Sequence, residues 1–121
     1  MTTSSTLYSP NDWTDEDLRR FAQEIDSLVP VDLGIVRAVK ILRDAGFAVT
    51  ESCEGGDGHS YPEPTVQFVG SHATGWAAMA ELMTYGLPIR RLGQMWTFDH
   101  SYGQGHPTGP DWFITFYRKL L

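Results

Sequence analysis

The residues with the widest chemical range lie in one short run, Ser52-Cys53-Glu54-Gly55-Gly56-Asp57-Gly58-His59. It combines a thiol, two carboxylates and an imidazole with three glycines, whose backbone can take positive φ and approach a ligand closely. A thiol beside an imidazole can work as nucleophile and base. Here Glu51, Glu54 and Asp57 oppose thiolate formation, and no Lys or Arg neighbours the thiol in sequence. Cys53 is therefore read as a small hydrophobe at a strand end, replaceable by Ala or Ser with most function kept. Cys53, His59, His100 and His106, with Asp57 or Asp99, offer the S, N and O donors that zinc takes. No CxxC, HxH or HExxH spacing accompanies them, and the set closes only if two separate loops converge. No metal and no cofactor is expected. Gly55-Gly56-Asp57-Gly58 is not a GxGxxG loop, and Asp57 would oppose a phosphate.

What the run favours is binding. The expected ligand-binding residues are Glu54, His59, Tyr61, Arg90, Arg91, Trp96, Tyr102 and His106. Tyr61, Trp96 and Tyr102 lie in or near loops and can stack on a flat ring. Arg90 and Arg91 are the cations best placed to meet an anionic group. Together with loop amides and histidines they describe a pocket for a nucleobase or nucleotide.

These residues need elements to hold them. Thr14 is placed to cap a first helix, with Asp15, Glu16 and Asp17 on its positively polarised first turn. Trp13 and Leu18 suit a hydrophobic staple. Leu18, Phe21, Ala22, Ile25 and Leu28 recur at helical spacing up to Pro30. Asp32 is read as the cap of a second helix with the stripe Leu33, Val36, Val39 and Leu42, closed by Gly46. Phe47–Cys53 and Thr65–Val69 read as strands, joined by the eleven-residue loop 54–64. That loop is too long for an ordinary hairpin turn of about 2–5 residues. Ser71 is placed to cap a third helix carrying Trp76, Met79, Ala80 and Met83, closed by Gly86, with His72 on its surface. Ile89–Phe98 reads as a third strand, bulged at Gly93. A second Gly/His/Pro loop spans 99–110. In the last strand, Trp112–Tyr117, Trp112, Ile114 and Phe116 point one way and Phe113, Thr115 and Tyr117 the other.

The stretches 32–69 and 71–117 echo each other: helix, Gly, strand, Gly-His loop, returning strand. His-Ser-Tyr stands in both loops, at 59–61 and 100–102. The echo predicts an α+β fold: an αββαββ pseudo-repeat with a four-stranded, mainly antiparallel sheet, helices on one face and an extra N-terminal helix. It also predicts that both loops sit at equivalent strand ends within contact distance, in one chain or across a dimer.

With 121 residues the chain is read as one α+β domain over 13–121 behind a flexible polar lead-in, 1–12. The net charge of −6 argues against DNA or RNA as partner. No apolar run is long enough to span a membrane, and the N-terminus lacks the basic and apolar regions of a secretory signal. A lone cysteine fits a reducing, cytoplasmic setting. A chain of this size gives a pocket little depth, which points to a homo-oligomer supplying further walls.

The string SCEGGDGHSYPEPTVQF and the closing TGPDWFITFYR resemble a family of small, uncharacterised proteins of bacteria and their phages. The resemblance covers about residues 34–118. It rests on Cys53, Glu54, Gly55, Gly58, His59, Glu63, Pro64, Pro110, Trp112 and Tyr117. It implies no activity, though a phage setting fits accessory work such as disarming a host defence. The expected function is non-catalytic binding of a small ligand, with sequestration of a nucleotide messenger as its sharpest form. The alternatives are a small hydrolase or phosphodiesterase using His59 and His106, with or without metal, and a protein-interaction module whose acidic first helix meets a basic partner.

Overall fold

The structure, a computed structural model, describes residues 9–26, 30–95, 98–99, 106–107 and 111–121. Helix α1 (Asp15–Ile25) starts where side chains replace missing backbone partners. The Thr14 hydroxyl accepts from the Asp17 N–H at 3.1 Å, and the Asp17 carboxylate accepts from the Thr14 N–H at 2.9 Å. Leu18 and Ala22 are buried against Val36, with Trp13 set edge-on to Phe21 at 4.9 Å. The helix stops at Ile25, short of the predicted stripe, and Leu28 lies outside the described residues.

Helix α2 (Val36–Asp44) begins four residues after Asp32. The Asp32 main-chain oxygen accepts from Ile35 and Val36, each at 3.1 Å, while its carboxylate takes no part in the cap. The predicted cap is thus corrected, and the carboxylate is left for work elsewhere. Gly46, with φ of +93°, closes this helix as expected.

Strands β1 (Ala48–Cys53) and β2 (Thr65–Val69) follow, then α3 (His72–Thr84), β3 (Ile89–Met95), β4 (Phe98–Asp99), β5 (His106–Pro107) and β6 (Asp111–Phe116). The main sheet has the order β1-β2-β6-β3 with every pairing antiparallel, and β4 pairs with β5 separately. The α+β class stands as read. The core lies between one sheet face and the helices. Val66, Phe68, Trp112, Ile114 and Phe116 meet Ala38, Val39, Ile41 and Leu42 of α2 and Ala78 and Leu82 of α3.

Three expectations are corrected. The buried face of α3 is Gly75, Ala78 and Leu82, whereas Trp76 and Met83 are more than half exposed. Small residues win that face because the indole of Trp112 lies directly on Gly75. A Cβ there would come within 2.6 Å of the ring, and the indole N–H donates to the carbonyls of Gly70 and Ser71 at 3.2 and 3.1 Å. Gly93 is no bulge, since it pairs in register with Phe113, and the β3 irregularity falls between Ile89 and Arg91. Its lack of a side chain instead admits the Phe113 ring, which a Cβ would meet at 2.1 Å.

The third correction concerns the loops. Thr65 stands opposite Thr115 and Val69 opposite Asp111. The 54–64 connection enters β2 at Thr65, and the 96–110 connection enters β6 at Asp111. Their strand ends therefore lie at opposite ends of the sheet. The predicted equivalence of strand ends is thus corrected, while residues 100–105 and 108–110 of the second loop lie outside the described residues.

Two stability predictions follow from this packing. Gly75→Ala forces methyl against indole and should cost about 1–3 kcal/mol in urea unfolding. Thr14→Ala should cost about 1 kcal/mol. The Thr14 N–H, helped by the Thr14 hydroxyl and Arg20, holds the Asp17 carboxyl below its ordinary range. A depressed carboxyl stabilises the fold above its unfolded value and loses that contribution as pH falls through the folded one. The difference between wild type and Asp17→Ala should therefore shrink on acidification below about pH 4. A difference that grows there would contradict the capping box.

Candidate functional site

The 54–64 connection folds on itself as a closed loop. Gly55, at φ of +81°, lies so tightly on the Glu63–Pro64 backbone that a Cβ would meet the Glu63 carbonyl carbon at 2.5 Å. The Gly56 N–H donates to the Pro62 carbonyl at 3.1 Å, and the His59 N–H to the Gly56 carbonyl at 3.2 Å. The Phe116 N–H ties Pro64 to β6 at 2.9 Å. Loop length and the three glycines are thus used to make two different surfaces.

One surface is polar. The Glu54 carboxylate accepts from the Gly34 N–H at 3.0 Å and meets Lys119 Nζ at 3.4 Å and His59 Nε2 at 3.5 Å. Asp32 accepts from the Glu54 N–H at 3.2 Å and stands 3.6 Å from His59 Nδ1. Cys53 is buried, and its sulfur accepts from the Gly55 N–H at 3.4 Å. Asp32, Cys53 and His59 each present a donor atom, all within 4.8 Å of one another. Gly34 permits the arrangement, because a Cβ there would meet Glu54 Oε1 at 2.8 Å. The Leu120 N–H donates to the Gly34 carbonyl at 2.9 Å and so brings Lys119 into place.

The other surface is an apolar cavity of about 300 Å³ on the sheet face opposite the helices. Tyr61, Pro62 and Glu63 form its loop side, and Gln67, Arg91, Met95, Phe113 and Thr115 come from the strands. Arg91 lies over the Phe113 ring at 5.2 Å. The Tyr61 hydroxyl accepts from Gln67 Nε2. Burial, and then the nearby Glu51 carboxylate, pushes the Tyr61 phenol above its ordinary value, so it stays neutral near pH 7. Thr115 is 4% exposed, and among the described residues no hydrogen-bond partner reaches its hydroxyl.

The expected ligand-binding residues divide accordingly. Glu54 and His59 meet in the polar cluster, and Tyr61 and Arg91 line the cavity. Arg90 turns to Glu63 at 3.3 Å. Trp96 and Tyr102 lie outside the described residues. His106 is placed only by its backbone, in β5 opposite Asp99. Asp32, Gly34, Lys119, Gln67, Phe113 and Thr115 were not anticipated as site residues. The alternation of β6 already put Phe113 and Thr115 on the face away from the core. Nothing local marked the Asp32 carboxylate as a site group, since its partners, Glu54 and His59, are more than twenty residues away. Comparison with protein-family models, curated proteins and solved structures gave no match.

The polar cluster makes a specific prediction about Gly34. Gly34→Ala should displace the Glu54 carboxylate and destabilise the chain by about 1–3 kcal/mol. Combining it with Glu54→Ala should recover only the carboxylate's share of that loss, since the Glu54 Cβ, which a Cβ at 34 would meet at 2.9 Å, remains. A fully additive double-mutant cycle in urea unfolding would show that the two residues are not coupled.

Proposed function

We propose that this chain binds a small, flat, anionic ligand of the nucleotide class in the cavity beneath Tyr61, without catalysing its reaction. The observation that carries this reading is the buried Thr115 hydroxyl, without a partner among the described residues, on a largely apolar wall with the Arg91 guanidinium nearby. A buried polar group without a partner costs about 1–3 kcal/mol, and a ligand acceptor would recover that energy. Phe113 and Tyr61 supply flat surfaces, Gln67 a side-chain amide, and Arg91 a charge-assisted donor. The volume lies at the lower end of small-molecule sites and suits a mononucleotide better than a dinucleotide.

The resemblance to bacterial and phage proteins makes sequestration of a nucleotide messenger the form of this reading to test. The lone cysteine suits a reducing cytoplasm for that work. Self-association, proposed to add walls to the site, is read by light scattering at the titration concentrations. No helix among the described residues is long and apolar enough to cross a membrane.

The experiment is calorimetric titration with mono-, di- and cyclic nucleotides. Arg91→Ala should weaken binding roughly 10- to 100-fold, the loss of one charge-assisted hydrogen bond. Thr115→Val should weaken it about fivefold, or about 1 kcal/mol, while raising the melting temperature of the free protein. That pair of opposite signs is the signature of a hydroxyl kept for a ligand. If every nucleotide binds only at millimolar concentration or weaker, the reading fails.

A further inference from the structure

We propose that Asp32, Cys53 and His59 form a binding site for a zinc-class divalent cation, independent of the ligand cavity. Tetrahedral bonds of about 2.0–2.3 Å to O, N and S donors place those donors about 3.3–3.8 Å apart. His59 Nδ1 and Asp32 are already 3.6 Å apart, and all three donor atoms lie within 4.8 Å of one another. Closure needs a shift of about an ångström at most, which the partly exposed imidazole can make by rotation.

The surroundings of the three donors match what such a cation requires. A ligating histidine ordinarily gives its second ring N–H to a carboxylate, which sets the tautomer and the ring orientation. With Nδ1 turned to Asp32, Nε2 faces the Glu54 carboxylate at 3.5 Å. Glu54 is itself held by the Gly34 N–H and Lys119. The Glu54 N–H orients Asp32, and the Gly55 N–H points at the Cys53 sulfur.

The same geometry speaks against Cys53 as a nucleophile. A catalytic base directs one nitrogen at the thiol and the other at a carboxylate, whereas here both ring nitrogens face carboxylates. A mixed S, N, O set selects zinc or cobalt over magnesium or calcium. Three protein donors leave the fourth position of a tetrahedron to water or a small ligand. Asp32 also borders a cleft of about 250 Å³ shared with Arg43, Thr50 and Ser52.

The test is titration of the untagged, chelator-stripped full chain with Co²⁺, followed by displacement with Zn²⁺. The expected result is one equivalent bound, with a thiolate-to-cobalt charge-transfer band and the intense visible bands of a tetrahedral ion. Excess Mg²⁺ should leave the spectrum unchanged. Cys53→Ser should abolish the charge-transfer band, and His59→Ala should lower affinity at least tenfold. Glu54→Gln, a change in a positioning residue, should lower affinity about tenfold and keep the band. Wild type that binds no stoichiometric Co²⁺ overturns the proposal, whatever the variants do. So does stoichiometric binding that survives Cys53→Ser and His59→Ala unchanged in folded protein, since the ion would then sit elsewhere.

Discussion

The antiparallel pairing of β2 with β6 is the constraint on which the rest of the structure depends. It joins the β1–β2 hairpin to the β3–β6 hairpin and makes one sheet of them. Its register sets Val66 beside Ile114 and Phe68 beside Trp112, so the apolar residues of both central strands share one face. The same register sets Thr65 beside Thr115 and Gln67 beside Phe113 on the other face. A slip of one residue would exchange these sets and put polar side chains under α2 and α3. One pairing thus fixes both where the core lies and where the cavity is available.

Two glycines show how closely sites and fold are built together. Gly75 lets α3 rest on Trp112, and that indole in turn holds the turn leading into α3. Gly34 lets the Glu54 carboxylate reach the backbone at the start of α2 while its carbonyl holds Leu120. In the second case one residue without a side chain connects the start of a helix, a loop and the C-terminal segment. The polar cluster is therefore as sensitive to that helix as to its own side chains.

Much of this was legible in the sequence because it is written in local pattern. The helix at Thr14, the strands at 65–69 and 111–116 and the α+β class follow from a capping box, period-two alternation and turn composition, whereas Ser71 precedes α3 without a side-chain cap, its hydroxyl meeting that of Thr74 at 3.2 Å. The residues picked out on α3, Trp76, Met79, Ala80 and Met83, are not its buried face, because proximity of helix to sheet selected Gly75 and Ala78. Asp32 was misread for a related reason. An aspartate just before a helix has a local role available, and only the fold shows that its carboxylate serves Glu54 and His59 instead. The loop run 52–59 was recognisable as chemistry, but its division into a polar side and an apolar side depends on Gly55 closing against Glu63 and Pro64. Long-range register and closure of this kind leave no trace in composition or spacing.

The sheet order also governs how the chain can acquire its shape. A β1–β2 hairpin can form early, but it leaves the inner edge of β2 bare until β6 arrives from the far end of the domain. That edge carries Val66 and Phe68, the type of strand that pairs with whatever extended segment it meets first. The search for the correct partner spans α3, β3 and the chain up to β6, so this pairing carries the entropy cost of closing a large loop. Crowded or concentrated conditions, in which another chain reaches β2 before β6 does, are where this molecule would lose most to aggregation.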